Sequence, residues 1–144
     1  VYENIRTNRV MMNFSQESVG VDKILNSLET LINQGSFKAD AVFFDGYKLT
    51  IASDEDVKKI KEFAQKMNIE VWFCVSPARQ NVEFTEHGVP VTMDPYLSMI
   101  DVLVGMHYND ENSKVIMTVV KAHDKSMPHA AGVALDPATM LISE

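Results

Sequence analysis

The chain has 144 residues, an apolar fraction of 46% and a formal net charge of −7. The length suits one globular domain. The acidic charge argues against nucleic acid as the main partner and against an anionic membrane surface. No apolar run approaches the ~20 residues of a membrane helix. We therefore predict one cytoplasmic α/β domain over residues 1–144, and Val1 in place of an initiating Met predicts a processed chain or a fragment of a longer protein.

The N-terminal third of the sequence predicts a strand followed by a helix. Residues 9–14, RVMMNF, are typical of a short strand that would end at Ser15. From Val21 to Ile32 the apolar residues recur at helical spacing, and Gly35 is a suitable helix stop.

The next segment predicts a strand, a helix and a second strand. Residues 39–46, ADAVFFDG, form a continuous apolar run, which is typical of a strand covered on both faces. Ser53 with Asp56 three residues later resembles a capping box before an amphipathic helix. Residues 69–76, IEVWFCVS, predict another buried strand, with Cys74 as a small core residue. This order favours a mainly parallel sheet flanked by helices.

The C-terminal half predicts a different arrangement. Residues 77–99 are rich in proline and polar residues, so we expect this segment to be functional, to be mobile, or to carry a short helix near Tyr96–Met99. Residues 101–108 and 113–124 predict an antiparallel hairpin in which 108 pairs with 113. Residues 132–142 add a strand that is interrupted at Asp136.

Polar residues at the ends of predicted strands are the first candidates for chemistry, because ligands of α/β sheets bind beyond the carboxyl ends of the strands. Ser15, Asp45 and Ser76 lie at three such ends. Asp45 could hold a metal ion directly or through water, or it could cap the following loop. The two serines could equally be ordinary turn residues.

Lys121 and His123 end the last long apolar strand and are predicted to share one face with Val115, Met117 and Val119. Such a cation could contact a phosphate or a partner's carboxylate, or it could mark an exposed strand end.

A histidine metal site is disfavoured. The predicted register separates His107 from His123 by roughly 30 Å. Glu83, Glu86 and His87 match no strong zinc signature and are predicted to be exposed polar residues.

The chemical motifs of several enzyme classes are absent from the sequence. No glycine is followed by lysine, so the phosphate loop G-x-x-x-x-G-K-[ST] is missing. The sequence also lacks G-x-G-x-x-G and G-x-S-x-G.

The order of parts over residues 39–142 nevertheless resembles the C-terminal two-thirds of a RecA-like P-loop ATPase core, as in RecA, KaiC and the DnaB helicases. The quoted parts are AVFFDG, VWFCVS, DVLVGMHY and VIMTVVKAHD. The resemblance implies a fragment of a larger core whose phosphate loop lies upstream on the central strand. It also implies self-association, a nucleotide partner, and Mg²⁺ and ATP as cofactors of the intact protein.

The resemblance assigns roles to four residues of this sequence. Asp45 matches the Walker B carboxylate that holds Mg²⁺ through water, and Ser76 matches the small polar residue that senses the γ-phosphate. Lys121 and His123 match a Lys-x-Arg pair that reaches the neighbouring subunit's nucleotide, with histidine in place of arginine, a weaker source of charge. No glutamate is assigned as a base. Without a phosphate loop, we expect this chain alone to be inactive and to hold neither ligand tightly.

A second interpretation remains open. The chain could be a non-enzymatic α/β regulatory or protein-interaction domain in which Asp45 is structural. The methionines of its strands would then form an adaptable contact surface; they are Met11, Met12, Met106 and Met117.

Overall fold

A computed structural model describes most of the chain. The described residues are 2–14, 19–35, 37–49, 52–76, 83–86, 89–123, 125–126 and 132–143. They divide into two compact units, of which the first is drawn from residues 1–47 and 58–75 and the second from residues 48–57 and 76–144.

Helices and strands of both kinds make this a mixed α/β protein, as predicted. In chain order they are α1 (Tyr2–Thr7), α2 (Val21–Gln34), β1 (Ala41–Asp45), α3 (Asp54–Met67), β2 (Glu70–Cys74), a 3-10 helix (Val91–Tyr96), β3 (Val102–Asn109), β4 (Lys114–Ala122), β5 (Lys125–Ser126) and β6 (Val133–Leu135).

The first unit is built on a parallel pair of strands. β1 and β2 pair in parallel from Ala41 opposite Glu70 to Asp45 opposite Cys74. Ile24 and Leu28 of α2 and Phe63 of α3 form a buried cluster against which Val42 and Phe44 of β1 pack. Both helices therefore cover the same face of the strand pair, and this contact forms the core of the unit.

Ion pairs also join the two helices. Lys59 lies 3.1 Å from Asp22, and Lys66 lies 2.6 Å from Glu29. The paired residues are seven positions apart on each helix, so α2 and α3 run in the same direction side by side. The partners are substantially exposed, and such pairs contribute about 0–1 kcal/mol each.

Local sequence signals set the helix ends where they were predicted. The backbone N–H of Asp56 donates to Oγ of Ser53 at 3.1 Å, which caps the start of α3. Asn68 follows α3 with a φ of 52°, a left-handed conformation that asparagine tolerates. At the end of α2, a Cβ on Gly35 would stand 2.5 Å from the carbonyl oxygen of Leu31, so this position requires glycine.

The prediction that β1 is covered on both faces is wrong for the described residues. Phe43 is 68% exposed and Trp72 is 40% exposed, and both lie on the face away from α2 and α3. Cys74, predicted to be a core residue, is exposed on the same face. The described part of this unit places one layer of helices on the strand pair, which explains the difference.

The second unit contains an antiparallel sheet. β4 is its centre, with β3 along one side and with β5 and β6 each pairing with β4. The predicted C-terminal hairpin is thus confirmed, but the expectation of a mainly parallel sheet is wrong. The described strands form one parallel pair and a separate four-stranded antiparallel sheet.

The hairpin has a different register from the predicted one, because the turn lies one residue later. Asn109 pairs with Lys114, and Tyr108 pairs with Val115. Asn109 belongs to the strand, while its Oδ1 accepts a hydrogen bond from the N–H of Glu111 at 2.9 Å and so stabilises the turn. The new register shortens the distance from His107 to the strand end to roughly 20 Å, still too long for a shared metal ion.

Two further expectations concern single segments. Residues 9–14 belong to no strand, and Met11 is 68% exposed. An extended segment cannot form ladder hydrogen bonds without a neighbouring strand, and none of the described strands pairs with it. The short helix expected near Tyr96–Met99 lies slightly earlier, at Val91–Tyr96.

None of the described helices combines the length and apolarity that a bilayer crossing requires.

Asp136 organises the turn after β6. Its Oδ1 accepts hydrogen bonds from the backbone N–H groups of Ala138 and Thr139, and from the hydroxyl of Thr139 at 3.0 Å. These bonds, those from Thr139 first, lower the pKa of the Asp136 carboxyl.

The lowered pKa predicts how this turn responds to acid. The Asp136 carboxylate stabilises the fold above the ordinary aspartate pKa of about 3.9, and this contribution is lost as the pH falls through the lower folded value. In the variant Thr139→Val the hydroxyl donor is gone, so we expect the pKa of Asp136 to rise. A carboxyl-carbon NMR titration of both proteins measures it, and an unchanged midpoint would contradict the assigned role of the hydroxyl.

Candidate functional site

The carboxyl end of the parallel strand pair carries the principal candidate, Asp45. It is the last residue of β1, it is exposed, and it lies opposite Cys74 in the ladder. Gly46 follows with a φ of 74°, a left-handed conformation that favours glycine. The chain therefore turns away directly after Asp45 and leaves its side chain at the edge of the strand pair.

No other described residue forms a hydrogen bond or an ion pair with the Asp45 carboxylate. A solvated carboxylate at a strand end can accept a metal ion or a water molecule bound to one.

The donor set at this edge suits one kind of metal better than another. The described part of the chain contains no group of three or more His, Cys, Asp or Glu side chains able to enclose an ion. Mg²⁺ is usually held by one or two carboxylates together with substrate phosphates and keeps several of its waters, so Asp45 could supply one of its ligands. The neighbouring thiol of Cys74 is a soft ligand and does not suit Mg²⁺.

Of the two serine candidates, Ser76 belongs to the described part of the chain. Ser76 is exposed and follows β2 by two positions, as the first residue of the second unit's longer segment. Ser15 lies outside the described residues. In the loop that offered a weak zinc pattern, Glu83 and Glu86 are exposed as expected, and His87 also lies outside the described residues.

Lys121 is held inside the second unit. Its Nζ donates to the carbonyl oxygen of Leu97 at 2.8 Å and also to that of Ile100. Both carbonyls belong to the turn that follows the 3-10 helix, where free carbonyl groups attract a cation. The half-buried ammonium group therefore fastens this turn to β4.

His123 has a separate role in the backbone. Its N–H donates to the carbonyl oxygen of Asp101, and its φ is 52°. Because Ala122 pairs with Lys125, residue 123 begins a two-residue hairpin connection, which favours a positive φ. Its side chain is exposed. A ladder irregularity at Leu103, opposite Lys121, interrupts the alternation that predicted a shared face.

The sequence reasoning missed the exposed aromatic pair. Phe43 and Trp72 face each other across the ladder with ring centroids 6.4 Å apart and planes inclined by 14°. The sequence did contain a sign of an exposed face. Asp45 is two positions from Phe43 and Glu70 is two positions from Trp72, so these charged residues lie on the same face as the rings. The continuous apolar run concealed it.

No model of a known protein family matches this sequence, and no curated protein is significantly similar to it. The function is therefore inferred from the fold and from the side chains at the edge of β1 and β2.

The position of Lys121 predicts a structural effect of its removal. In Lys121→Met two part-buried carbonyls lose a charged donor, so we expect the second unit to lose about 1–3 kcal/mol of stability. Amide hydrogen exchange in β4 measures this loss locally. Lys125→Met, at an exposed neighbouring position, is the matched control. Equal exchange in the two variants would show that the Lys121 contacts contribute nothing.

Proposed function

We propose that this chain is the part of a RecA-like nucleotide-hydrolysing core that carries the metal ligand. The protein would act in the cytoplasm. It would bind nucleotide only together with a phosphate loop supplied from outside this sequence. Asp45 holds a hydrated Mg²⁺ in this proposal. The observation that carries it is the carboxylate of Asp45, exposed at the carboxyl end of a parallel strand and unengaged by other described residues. The β1–α3–β2 crossover that presents it is the element order expected of such a core.

The proposal also requires strand edges to which the missing part of the core could pair. In the family that the sequence resembles, the strand before the phosphate loop lies at the centre of one continuous sheet. Here β2 pairs only with β1, and β3 pairs only with β4, among the described strands. Each of these strands thus has a side on which a further strand could form ladder hydrogen bonds.

The roles of the other candidates follow from the same proposal. Ser76, just beyond β2, would sense the γ-phosphate, and Ser15 would contribute to nucleotide binding. His123 would face a neighbouring subunit's nucleotide in a self-associated assembly. Lys121 would stabilise the turn at Leu97–Ile100 in the free chain and would have to leave these carbonyls to reach a phosphate.

The chain alone contains no phosphate-binding loop, so we expect it to bind Mg²⁺ weakly and ATP barely at all. Titration with Mn²⁺ as a paramagnetic substitute should broaden the amide NMR signals of Asp45, Gly46 and Cys74 first. The variant Asp45→Asn should abolish this selective broadening, whereas Asp110→Asn, at an exposed turn position, should leave it unchanged.

Two results would contradict the proposal. Calorimetry with Mg-ATP that gives a dissociation constant near ~1 μM would show that this chain needs no separate phosphate loop. Broadening that is centred elsewhere, or that persists in Asp45→Asn, would remove Asp45 as the metal ligand.

One observation favours a second candidate, a non-enzymatic protein-interaction domain. Large apolar side chains are exposed in both units, among them Met11 in the first and Met106 in the second, at 68% and 52%. Methionine side chains adapt readily to different partner surfaces. In this alternative Asp45→Asn changes neither metal broadening nor any binding activity.

A further inference from the structure

The side of the first unit's strand pair that faces away from α2 and α3 is defined by three cross-strand rows, and we call it the open face. The rows are Ala41 with Glu70, Phe43 with Trp72, and Asp45 with Cys74. Parallel strands occur almost only where both faces are covered. The exposed, stacked rings of Phe43 and Trp72 therefore mark a surface that needs a partner.

We propose that a separate protein covers the open face with a basic amphipathic helix. A helix is the element that packs on parallel strands, as α2 and α3 do on the opposite face of this pair. Its apolar stripe would bury the rings of Phe43 and Trp72, which contribute most of the apolar area of the open face.

The acidic charge of the open face favours a partner whose contacting surface is basic. Its six residues include two carboxylates, Glu70 and Asp45, and no basic side chain. The indole N–H of Trp72 donates to Oε2 of Glu70 at 3.0 Å, so this carboxylate lies beside the aromatic row. A neutral or acidic helix on that row would bury Glu70 without a counter-ion, which is costly. An arginine would pair with the carboxylate and stack on the aromatic rings.

The geometry also sets the spacing on the partner helix. Glu70 and Trp72 are two residues apart on β2, so their rows are separated by roughly 6.6 Å. At a rise of about 1.5 Å per residue, this distance corresponds to four or five helical positions. The partner should therefore carry its basic residue about one turn from the apolar residues that contact the rings. This inference depends on the rows of Glu70 and Phe43 and is independent of metal binding by Asp45.

The chain contains its own reporters for this surface. Trp72 is the only tryptophan and Cys74 is the only cysteine, and both lie on the open face. Burial of the indole shifts its emission to shorter wavelength, and burial of the thiol slows its alkylation. Both signals can be followed in metal-free buffer.

The test uses two synthetic peptides of about 18 residues, long enough to form a helix when bound. Both carry a leucine stripe, and one has arginine four positions from its centre where the other has glutamate. We expect the arginine peptide to shift Trp72 emission, to slow Cys74 alkylation, and to bind about tenfold more tightly than the glutamate peptide.

Variants of the open face separate charge from apolar contact. Glu70→Gln retains an acceptor for the indole N–H but should abolish the preference between peptides, and Glu70→Arg should reverse it. Phe43→Ser should weaken both peptides. Asp110→Arg places the same charge change on an exposed turn of the second unit and should preserve the preference. Circular dichroism establishes that each variant is folded.

Three outcomes would overturn the proposal. Equal binding of the two peptides to the unsubstituted protein would show non-selective apolar contact. Absence of any change at Trp72 and Cys74 would show that no helix docks there. A dimer in sedimentation whose Cys74 is protected without peptide would assign the open face to a second copy of the chain.

Discussion

The packing of α2 and α3 on one side of β1 and β2 is the constraint on which the first unit depends. Burial of Ile24, Leu28 and Phe63 against Val42 and Phe44 fixes which side chains of β1 point inward. Successive strand residues alternate between faces, so Phe43 and Asp45 must point the other way. A slip of one residue would bury the carboxylate and expose the core. The apolar core thus determines the position of the candidate metal ligand, although Asp45 takes no part in that core.

The sequence predicted the elements with strong periodicity and failed where neighbours decide the outcome. α2 and α3 were found because their apolar stripes and caps are local signals. The parallel crossover was also predicted, since a helix between two strands allows little else. Residues 9–14 have strand character, but a strand requires a ladder partner, which local sequence does not reveal. The hairpin register shifted because one asparagine joined the strand while stabilising the turn with its side chain.

In the candidate site, too, local sequence signals were sufficient for some residues and contacts between distant residues determined the others. Asp45 could be found from its place at the end of an apolar run, and it lies at the expected strand end. The anchoring of Lys121 by Leu97 and Ile100 depends on a contact across more than 20 residues, which no local pattern encodes. The aromatic pair was hidden because an uninterrupted apolar run is identical for a strand covered on one face or on both.

The chain passes between the two units three times, near residues 47, 57 and 75. The second passage falls within α3, which begins in one unit and ends in the other. Neither unit is therefore a contiguous stretch of polypeptide. Cleavage after residue 75 would separate residues 48–57 from residues 76–144, which together form the second unit. A chain that ended at residue 75 would retain only the short first segment of that unit. No single cut in the chain would therefore release either unit whole.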